Sequence, residues 1–500
     1  MIKPFYITTP IYYVNDVPHI GHAYTTLACD TLARYKRLAG DDVYFLTGTD
    51  EHGQKVEKAA AQAAIDPQQF VDTVSQSFRN LIPVINAAPD DFIRTTESRH
   101  KQAVQHLWDE LFKRDAIYLG KYAGWYAVRD EAFYSESELV NGKAPTGADV
   151  EWVTEPSYFF RLSAFQDKLL DYYHQNPSFI APQSRRNEVM RFVEGGLNDL
   201  SISRNSFNWG VKVPNDPKHV VYVWLDALTN YITALGYPEQ KGNFEKYWPN
   251  TVHVVGKDIL RFHAVYWPAF LMAAELPLPK QIFAHGWWTN EGEKISKSLG
   301  NAIDPVELVE TFGADAVRYF LLREVPFGQD GDFSRQHLIN RYNSDLANAY
   351  GNLVQRVLSF IHKNCGAAVP LPHDLEASDK NLIQACDKIM PVLEADMEAL
   401  AFHKYAEHIW QLIAHANQYI DEQKPWALKT TDVPRMHTIL YILANTIRVI
   451  ALLTQPLLPA ASAAILDQLA IPLDQRKLLG GSLKPGMTLP EPKGVFPRYN

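Results

Sequence analysis

Short apolar runs alternate with longer amphipathic stretches over the first sixty residues of the chain. Apolar residues at 5–7 and at 43–46 form two strand-like runs, and a loop and then a helix-like spacing of apolar positions follow each run. Alternating strands and helices predict a parallel sheet whose ligands lie at the carboxyl ends of the strands. Asp50 lies at such an end.

The same strand pattern returns much later in the chain. Strand-like runs at 252–255 and 281–284 are each followed by a glycine-containing turn, so the sheet is predicted to be split by an insertion. That insertion runs from about Tyr118 to Glu194 and is rich in Tyr, Trp, Gly and Ser. After about Pro326 the apolar residues recur at helical spacing, which predicts a helical bundle over roughly 341–470.

These patterns together predict an α/β protein: a Rossmann-like parallel sheet with an inserted connective domain, followed by an all-α helical bundle. The predicted domains are 1–117 for the first half of the sheet domain, 118–194 for the insertion, 195–325 for the second half, and 326–500 for the helical domain.

Composition adds little to this picture beyond excluding some classes. The 500 residues are 46% hydrophobic and 21% charged, which is ordinary for a soluble globular chain. A net charge of −9 does not indicate nucleic-acid binding, so such a contact would need local basic patches. The apolar stretch 439–458 is predicted to be a buried helix that ends at a proline, not a membrane span. Three scattered cysteines and no secretory signal predict a cytoplasmic protein.

Two short motifs almost three hundred residues apart carry the strongest chemical signal. Pro-His-Ile-Gly-His occupies 18–22, and Lys-Ile-Ser-Lys-Ser occupies 294–298 in a glycine-containing stretch. Gly21 allows a nucleotide to approach the backbone, and the helix that begins there directs N–H groups and its positive dipole end toward phosphate. Taken singly, the first motif is also compatible with ordinary turn and cap residues, and the second with a solvated charged loop.

The spacing within each motif suits phosphate chemistry. His19 and His22 are three residues apart, so both project to one side of a first helical turn and can donate hydrogen bonds to phosphates. Lys294 and Lys297 have the same spacing and bring two cations to the same charge from a loop. The pair of motifs therefore predicts a site that stabilises charge on a departing pyrophosphate.

In this order, the two motifs resemble the HIGH and KMSKS signatures of class I aminoacyl-tRNA synthetases. The chain further resembles the methionyl-tRNA synthetase family from Phe5 to its last residues. The segments that carry this resemblance lie at 9–15, 47–53, 223–228, 256–259, 262–263 and 421–426.

The resemblance implies roles for individual residues. The implied catalytic residues are His19, His22, Lys294 and Lys297. The implied ATP-binding residues are His19, Gly21, His22, Gly256, Asp258, Lys294, Ser296, Lys297 and Ser298. The implied methionine-binding residues are Ile11, Tyr13, Asp50, Trp224, Ala227, Tyr231, Ile259 and His263.

The chemistry of the implied methionine pocket is coherent. A thioether is apolar and polarizable and favours aromatic surroundings. Tyr13 and His263 are each expected to offer it one hydrogen bond, and Asp50 is expected to accept the substrate's ammonium group. Without the family pattern, Trp224, Tyr231 and Ile259 are equally compatible with ordinary core positions.

Relatives in this family often carry a zinc knuckle in the insertion, in which one Cys-x-x-Cys pair is followed by a second Cys-x-x-Cys or by Cys-x-x-His. Here Ala127 and Asp130 stand where the first two thiolates would be, and no cysteine lies between Cys29 and Cys365. A structural zinc site needs four nitrogen or sulfur ligands, so no bound zinc is expected. Packing of aromatic residues such as Trp125 and Phe133 is expected to hold the knuckle. The insertion is also too short for a separate editing domain.

The helical region carries the expected tRNA contacts. Asn348, Asn352 and Arg356 are four residues apart beside an apolar stripe, and Trp426 follows Pro425 and is expected to project from a loop. An aromatic ring with nearby polar groups suits an unstacked anticodon base. The resemblance implies that Asn352, Arg356 and Trp426 read the anticodon, although Trp426 alone would also suit a core or hinge position.

The resemblance implies methionine, ATP with Mg²⁺ and tRNA(Met) as substrates, no membrane association and a monomer, since the chain ends without the additional dimerising domain of some relatives. Methionine and ATP are expected to give methionyl-adenylate, whose methionyl group is then transferred to the 3′ end of the tRNA. Two other readings remain open. A nucleotidylyltransferase acting on a small molecule shares the first motif, and a catalytically silent tRNA-binding paralogue shares the fold.

Overall fold

A computed structural model describes residues 2–14, 16–294, 303–478 and 481–499, with the backbone alone at positions 293 and 294. The strands are β1 (Pro4–Thr8), β2 (Tyr12–Tyr13), β3 (Asp42–Asp50), β4 (Asp91–Arg94), β5 (Ile117–Ala127), β6 (Ala132–Tyr134), β7 (Glu151–Phe160), β8 (Ile180–Ala181), β9 (Leu200–Ser201), β10 (Ser203–Arg204), β11 (Lys212–Val213), β12 (Asp216–Val221), β13 (Thr251–Gly256), β14 (Gln281–His285), β15 (Trp288–Asn290), β16 (Glu293–Lys294) and β17 (Gly331–Phe333).

The α-helices of the described residues follow the same chain order. They are α1 (Ile20–Leu38), α2 (Gln54–Gln62), α3 (Pro67–Val84), α4 (Ser98–Lys113), α5 (Gln166–Gln175), α6 (Gln183–Glu194), α7 (Val223–Thr233), α8 (Asn243–Tyr247), α9 (Trp267–Ala273), α10 (Pro305–Phe312), α11 (Ala314–Arg323), α12 (Arg335–Arg341), α13 (Asn352–Asn364), α14 (Ala377–Lys388), α15 (Met390–Glu398), α16 (Phe402–Gln423), α17 (Pro425–Leu428), α18 (Val433–Thr454) and α19 (Pro459–Gln468).

A seven-stranded parallel sheet forms the centre of the sheet domain. Its strand order is β2-β3-β1-β13-β14-β8, and β4 also pairs with β3. β1 is flanked by β3 on one side and by β13, more than two hundred residues later in the chain, on the other. The order of strands therefore reverses beside β1, which is where open parallel sheets bind ligands. The predicted split sheet is confirmed.

The insertion is built on a second, antiparallel sheet with the order β6-β5-β7-β9. β5 and β7 form its long central antiparallel pair. Strand pairing does not follow the predicted boundary at 194. β8, before the boundary, pairs with β14 of the parallel sheet, whereas β9, after it, pairs with β7 of the insertion. The boundaries of the four domains remain a prediction.

The first helix connects the sheet to the helical region. α1 is buried along most of its length. Residues such as Leu27 pack against the sheet, and another side of the helix packs against α11. Fully buried Arg318 of α11 forms an ion pair of 2.7 Å with Asp30 of α1 and donates to the carbonyl oxygen of Pro456, beyond α18. This buried charge pair ties the helix that carries the first motif to the helical bundle.

Helix α18 is long and apolar enough to cross a membrane by length and composition alone. Most of its apolar window is buried inside the protein, against helices such as α14 and α16. This burial agrees with the prediction of a core helix over the same stretch.

Candidate active site

A cavity of about 650 Å³ opens at the carboxyl edge of the parallel sheet, beside β1. Residues from the parallel sheet, α1, α7 and the insertion line it. The structure brings together here residues predicted for ATP and methionine from five separate stretches of sequence. They are Ile11, Tyr13, His19, Gly21, His22, Asp50, Trp224, Ala227, Tyr231, Gly256, Asp258, Ile259 and His263.

The two histidines of the first motif form the N-terminal cap of α1. His19 is the N-cap residue, and its Nδ1 accepts the backbone N–H of Gly21 at 3.0 Å. His22 returns the bond, because its Nδ1 accepts the backbone N–H of His19 at 3.0 Å. Each neutral imidazole therefore carries its proton on Nε2, which is the donor nitrogen of the ring. The cap sets both tautomers for donation to an anion.

Gly21 has a second role that the sequence did not indicate. A Cβ atom at this position would lie 2.9 Å from Cε1 of His19, closer than side-chain carbons approach. The missing side chain therefore makes room for the His19 ring as well as for a nucleotide.

Asp50 lies at the end of β3 and is buried. No hydrogen-bond partner for its Oδ1 exists among the residues that the structure describes. Burial, together with the negative charges of Asp226 and Glu131, raises the pKa of Asp50 well above its ordinary value. A buried carboxylate in this position is suited to a cationic ligand, whose charge would offset the burial and the repulsion.

Behind Asp50, a second buried carboxylate is held by two histidines. Asp226 of α7 lies 2.6 Å from Nδ1 of His52 and 2.8 Å from Nε2 of His100. Burial alone would raise its pKa, but the two histidines outweigh that effect and lower the pKa of Asp226 to about 2. Asp226 therefore stays ionised, and its fixed charge keeps the environment of Asp50 negative. Sequence reasoning missed this cluster because its members are far apart in the chain.

The apolar part of the cavity is aromatic. The Trp224 indole stacks on the Phe262 ring at a centroid distance of 3.8 Å with an interplanar angle of 5°. Tyr231 contacts His263. Phe262 and His263 lie in a π-helical turn, Phe262–Tyr266, a local irregularity that often occurs at functional sites. The pocket therefore presents the faces and edges of aromatic rings, which are the surroundings that a polarizable thioether favours. Phe262 was not predicted as a pocket residue.

The structure corrects the expected hydrogen bonds to a thioether. His263 donates from Nδ1 to the carbonyl oxygen of Ile259 at 2.9 Å, so its Nε2 accepts the hydroxyl of Tyr231 at 2.7 Å. Burial lowers the pKa of His263 to about 4, which keeps the ring neutral. The Tyr13 hydroxyl donates instead to a carboxylate oxygen of Glu131 at 2.6 Å. Both hydrogen bonds therefore go to protein partners, and the pocket offers a ligand its shape and its ring surfaces.

Glu131 is a cavity residue that was not predicted from the sequence. It comes from the turn between β5 and β6, and 118 positions separate it from Tyr13. Local periodicity and residue spacing cannot predict a contact between residues so far apart in the sequence. The insertion therefore contributes directly to the cavity.

The nucleotide end of the cavity includes the turn after β13. Asp258 accepts the Trp287 indole N–H at 3.1 Å, and Lys257 forms an ion pair of 2.6 Å with Asp330. A Cβ atom on Gly256 would lie 2.5 Å from a carboxylate oxygen of Asp258. Gly256 thus permits the carboxylate to fold back over the backbone at the end of the strand.

The second motif begins in a hairpin. Lys294 lies in β16, which pairs with β15, so its backbone is in a strand and not in a loop as expected. Ser296, Lys297 and Ser298 lie outside the described residues. Their roles, like those of the other predicted site residues, remain predictions.

The knuckle of the insertion has a small apolar core. Ala127, which stands at a thiolate position of relatives, is fully buried and packs with Ala144 and Ala148. Asp130 accepts hydroxyl hydrogen bonds from Thr146 and Tyr134. Methyl groups and an engaged carboxylate do not fit a zinc ion. Within the described ranges, no cluster of three or more His, Cys, Asp or Glu side chains is placed to hold a metal.

The predicted anticodon residues also come together. Asn352 is exposed at the start of α13, which continues from a π-helical segment, Tyr342–Gly351. Arg356 forms an ion pair of 2.7 Å with Asp421, and its guanidinium carbon lies 5.5 Å from the centre of the Trp426 ring. Trp426 is 42% exposed and lies in the one-turn helix α17, not in a loop. An exposed aromatic ring beside a cation, with the exposed Asn352 one helical turn before that cation, suits stacking of a nucleic-acid base.

Two family models match the chain. The model described as class I tRNA synthetases (M) matches residues 5–151 and 137–358, and the anticodon-binding domain of methionyl tRNA ligase matches 369–498. The methionine–tRNA ligase of Rickettsia felis is 57% identical, over 100% of this chain and 99% of its own length. That of Brucella suis is 53% identical, over 99% and 98% respectively.

Solved structures of a Mycobacterium tuberculosis methionyl-tRNA synthetase are also similar. The complex with methionyl-adenylate has a TM-score of 0.97 at 50% identity and covers 99% of this chain and 100% of that chain. The apo form has a TM-score of 0.90 at 47% identity, with 100% and 99% covered. These matches confirm the resemblance and the predicted fold class. The chain therefore belongs to the methionyl-tRNA synthetase family of class I aminoacyl-tRNA synthetases.

Proposed function

We propose that the chain is a methionine–tRNA ligase that activates methionine with ATP and then transfers it to the 3′ end of tRNA(Met). The observation that carries this proposal is the cavity at the carboxyl edge of the sheet. It combines a helix N-terminus capped by two histidines with a buried carboxylate and an aromatic wall. The direct test is methionine-dependent exchange of pyrophosphate into ATP by the purified chain.

In the first step, the methionine carboxylate attacks the α-phosphate of ATP, the bond to the β-phosphate breaks, and pyrophosphate leaves with Mg²⁺. Negative charge builds on the phosphates during this displacement. The Nε2–H groups of His19 and His22 and the N-terminus of α1 supply hydrogen-bond donors and positive potential. Lys294 and Lys297 are proposed to add two cations. The reaction needs no protein base, because the attacking carboxylate is already ionised.

Two features of the cavity favour methionine as the substrate. The oxygen of Asp50 that has no partner among the described residues is proposed to accept the ammonium group, which places the carboxylate toward the phosphates. The side chain then extends among Trp224, Tyr231 and His263, which offer ring surfaces to sulfur. A longer or branched side chain would have to displace these rings.

In the second step, a hydroxyl group of the terminal tRNA adenosine attacks the activated carbonyl, and AMP leaves. The helical region is proposed to bind the anticodon through Asn352, Arg356 and Trp426. A monomeric state, a cytoplasmic location and the absence of membrane association remain predictions from the sequence.

Replacing Trp426 by alanine should weaken aminoacylation of tRNA by about 1–3 kcal/mol, the value of one stack between a base and an aromatic ring. Pyrophosphate exchange should stay unchanged, because α17 contributes no residue to the lining of the described cavity. Steady-state kinetics of both reactions test this. Trp426→Phe should recover most of the loss. Arg356→Ala should also spare exchange, and it should relax discrimination against altered anticodons. If Trp426→Ala lowered both reactions equally and reduced the melting temperature, Trp426 would be a structural residue.

We also propose that the chain works without zinc, because buried alanines occupy its knuckle. Elemental analysis should find less than half an equivalent of zinc per chain. Activity should be complete after chelation and dialysis into magnesium, which accompanies the phosphates of ATP. Stoichiometric zinc that survives chelation would contradict the proposal.

A further inference from the structure

We propose that Glu131 is a positioning residue for methionine. From the tip of the insertion, its carboxylate holds Tyr13 in the wall of the cavity and adds a second negative charge to the ammonium subsite at Asp50. This inference rests on the proposed function and extends it to a residue of the insertion.

The backbone at Glu131 is held in an unfavourable conformation. Its φ of +48° is in the left-handed region, which residues other than glycine rarely adopt. The Tyr222 hydroxyl, beside α7, donates to the carbonyl oxygen of Glu131 at 3.0 Å. The turn between β5 and β6 is thus fixed against the catalytic region, and it places the Glu131 side chain, 6% exposed, inside the cavity. Backbone strain of this kind persists where the surrounding structure enforces it.

The Glu131 carboxylate joins three segments that are separate in the sequence. It accepts the Tyr13 hydroxyl at 2.6 Å and also a hydrogen bond from the backbone N–H of Lys55. Gly53 lies so close that a Cβ atom there would be 2.6 Å from a Glu131 carboxylate oxygen and 2.8 Å from the Tyr13 hydroxyl. The φ of Gly53 is +111°, so this close approach requires glycine twice over. Gly53 follows Asp50 by three residues, so Glu131 also fixes the turn that carries Asp50.

Charge distinguishes this carboxylate from a purely structural contact. Burial raises the pKa of Glu131 to about 7, while Tyr13, Lys55 and Arg204 act in the opposite direction. The Glu131 charge in turn raises the pKa of Asp50. An arriving ammonium group relieves repulsion between the two carboxylates, so both contribute to its binding. The ionisable groups that face Glu131 are Tyr13, Asp50, Lys55, Tyr126, Arg204 and Tyr222.

The variant Glu131→Gln tests the charge, because it keeps the size of the side chain and one acceptor oxygen for Tyr13. Its dissociation constants are to be measured for methionine, for methioninol, which keeps the ammonium group, and for 4-(methylthio)butyrate, which lacks it. We expect methionine and methioninol to bind about tenfold more weakly and 4-(methylthio)butyrate to bind unchanged. In exchange, KM for methionine should rise by the same factor while kcat stays within about twofold, because the lost interaction exists before the transition state.

Two further variants complete the test. Glu136→Gln makes the same change of charge on the insertion, where Glu136 contacts the Trp125 indole away from the cavity, and it should leave every value unchanged. Glu131→Asp keeps the charge and should bind methionine more tightly than Glu131→Gln. In the parent protein, methionine affinity should rise with pH through neutrality as Glu131 ionises. Glu131→Gln should lose the part of this rise that Glu131 supplies, and the part that Asp50 supplies should remain, because burial and Asp226 still raise the pKa of Asp50.

The outcomes separate this inference from the proposed function. Equal weakening of all three ligands together with a lower melting temperature would make Glu131 merely structural, and unchanged methionine binding in Glu131→Gln would overturn the proposal outright. Either result leaves methionine-dependent exchange by the parent protein intact. Absence of that exchange would instead contradict the proposed function.

Discussion

Replacing Asp50 by asparagine should reduce methionine-dependent pyrophosphate exchange by roughly a hundredfold to a thousandfold. The buried carboxylate of Asp50 has an oxygen with no partner among the described residues, and it lies where a substrate ammonium group would bind. Asparagine keeps the shape but removes the charge, so the ammonium group would be desolvated without compensation, at a cost of about 3–4 kcal/mol. Initial rates of exchange over a range of methionine concentrations measure the effect.

Asp66→Asn provides the matched control. Asp66 is an exposed N-cap residue of α3, and asparagine caps helices as well as aspartate does. This variant should exchange at the parent rate. Because the Asp50 carboxylate is buried with a raised pKa, Asp50→Asn should also keep or increase the melting temperature at neutral pH. An exchange rate within a few fold of the parent for Asp50→Asn would remove Asp50 from the ammonium subsite.

Replacing Lys297 by alanine should reduce adenylate formation by about 2.7–4 kcal/mol, the usual loss when one donor to the transition state is removed. The basis is the spacing of the second motif, since Lys297 lies outside the described residues. Methionine binding should change little, because Lys297 is assigned to phosphate. Single-turnover adenylate formation at saturating methionine and ATP isolates this step.

The matched control for this lysine is Lys280→Ala. Lys280 is exposed just before β14 and does not line the described cavity. Its replacement by alanine removes the same positive charge from the protein. It should form adenylate at the parent rate. Normal adenylate formation by Lys297→Ala would show that the motif does not serve the phosphates, whereas a matching loss of methionine affinity would assign Lys297 to the other substrate.

The fold could be predicted where the sequence carries a sustained pattern. β1, β3, β13 and β14 are apolar runs of several residues, and the helical region repeats apolar positions over many turns. β2 and β8 have two residues each, which is too few for a period to appear. The helix predicted after the first apolar run, α1, is buried on several faces, because the sheet covers one side of it and α11 covers another.

The site was predictable where residues cluster in sequence or match a family pattern. The capping pair His19 and His22 is local, so spacing alone placed both on one turn. Glu131, by contrast, reaches Tyr13 through the tertiary fold of the insertion. Asp226 and its two partners, His52 and His100, likewise come from three separate segments. Spacing also could not show that Tyr13 and His263 form hydrogen bonds with protein partners. Those bonds depend on which acceptor groups the tertiary fold places beside each side chain.

Methionine–tRNA ligase activity is tested most sharply by exchange of labelled pyrophosphate into ATP by the purified full chain, with and without methionine, followed by charging of tRNA(Met). We expect exchange that requires methionine and is not supported by leucine or isoleucine, and charging of the tRNA at its 3′ end. A silent tRNA-binding paralogue would bind the tRNA without any exchange. Exchange that proceeds without methionine, as in a small-molecule nucleotidylyltransferase, would equally contradict a methionine–tRNA ligase.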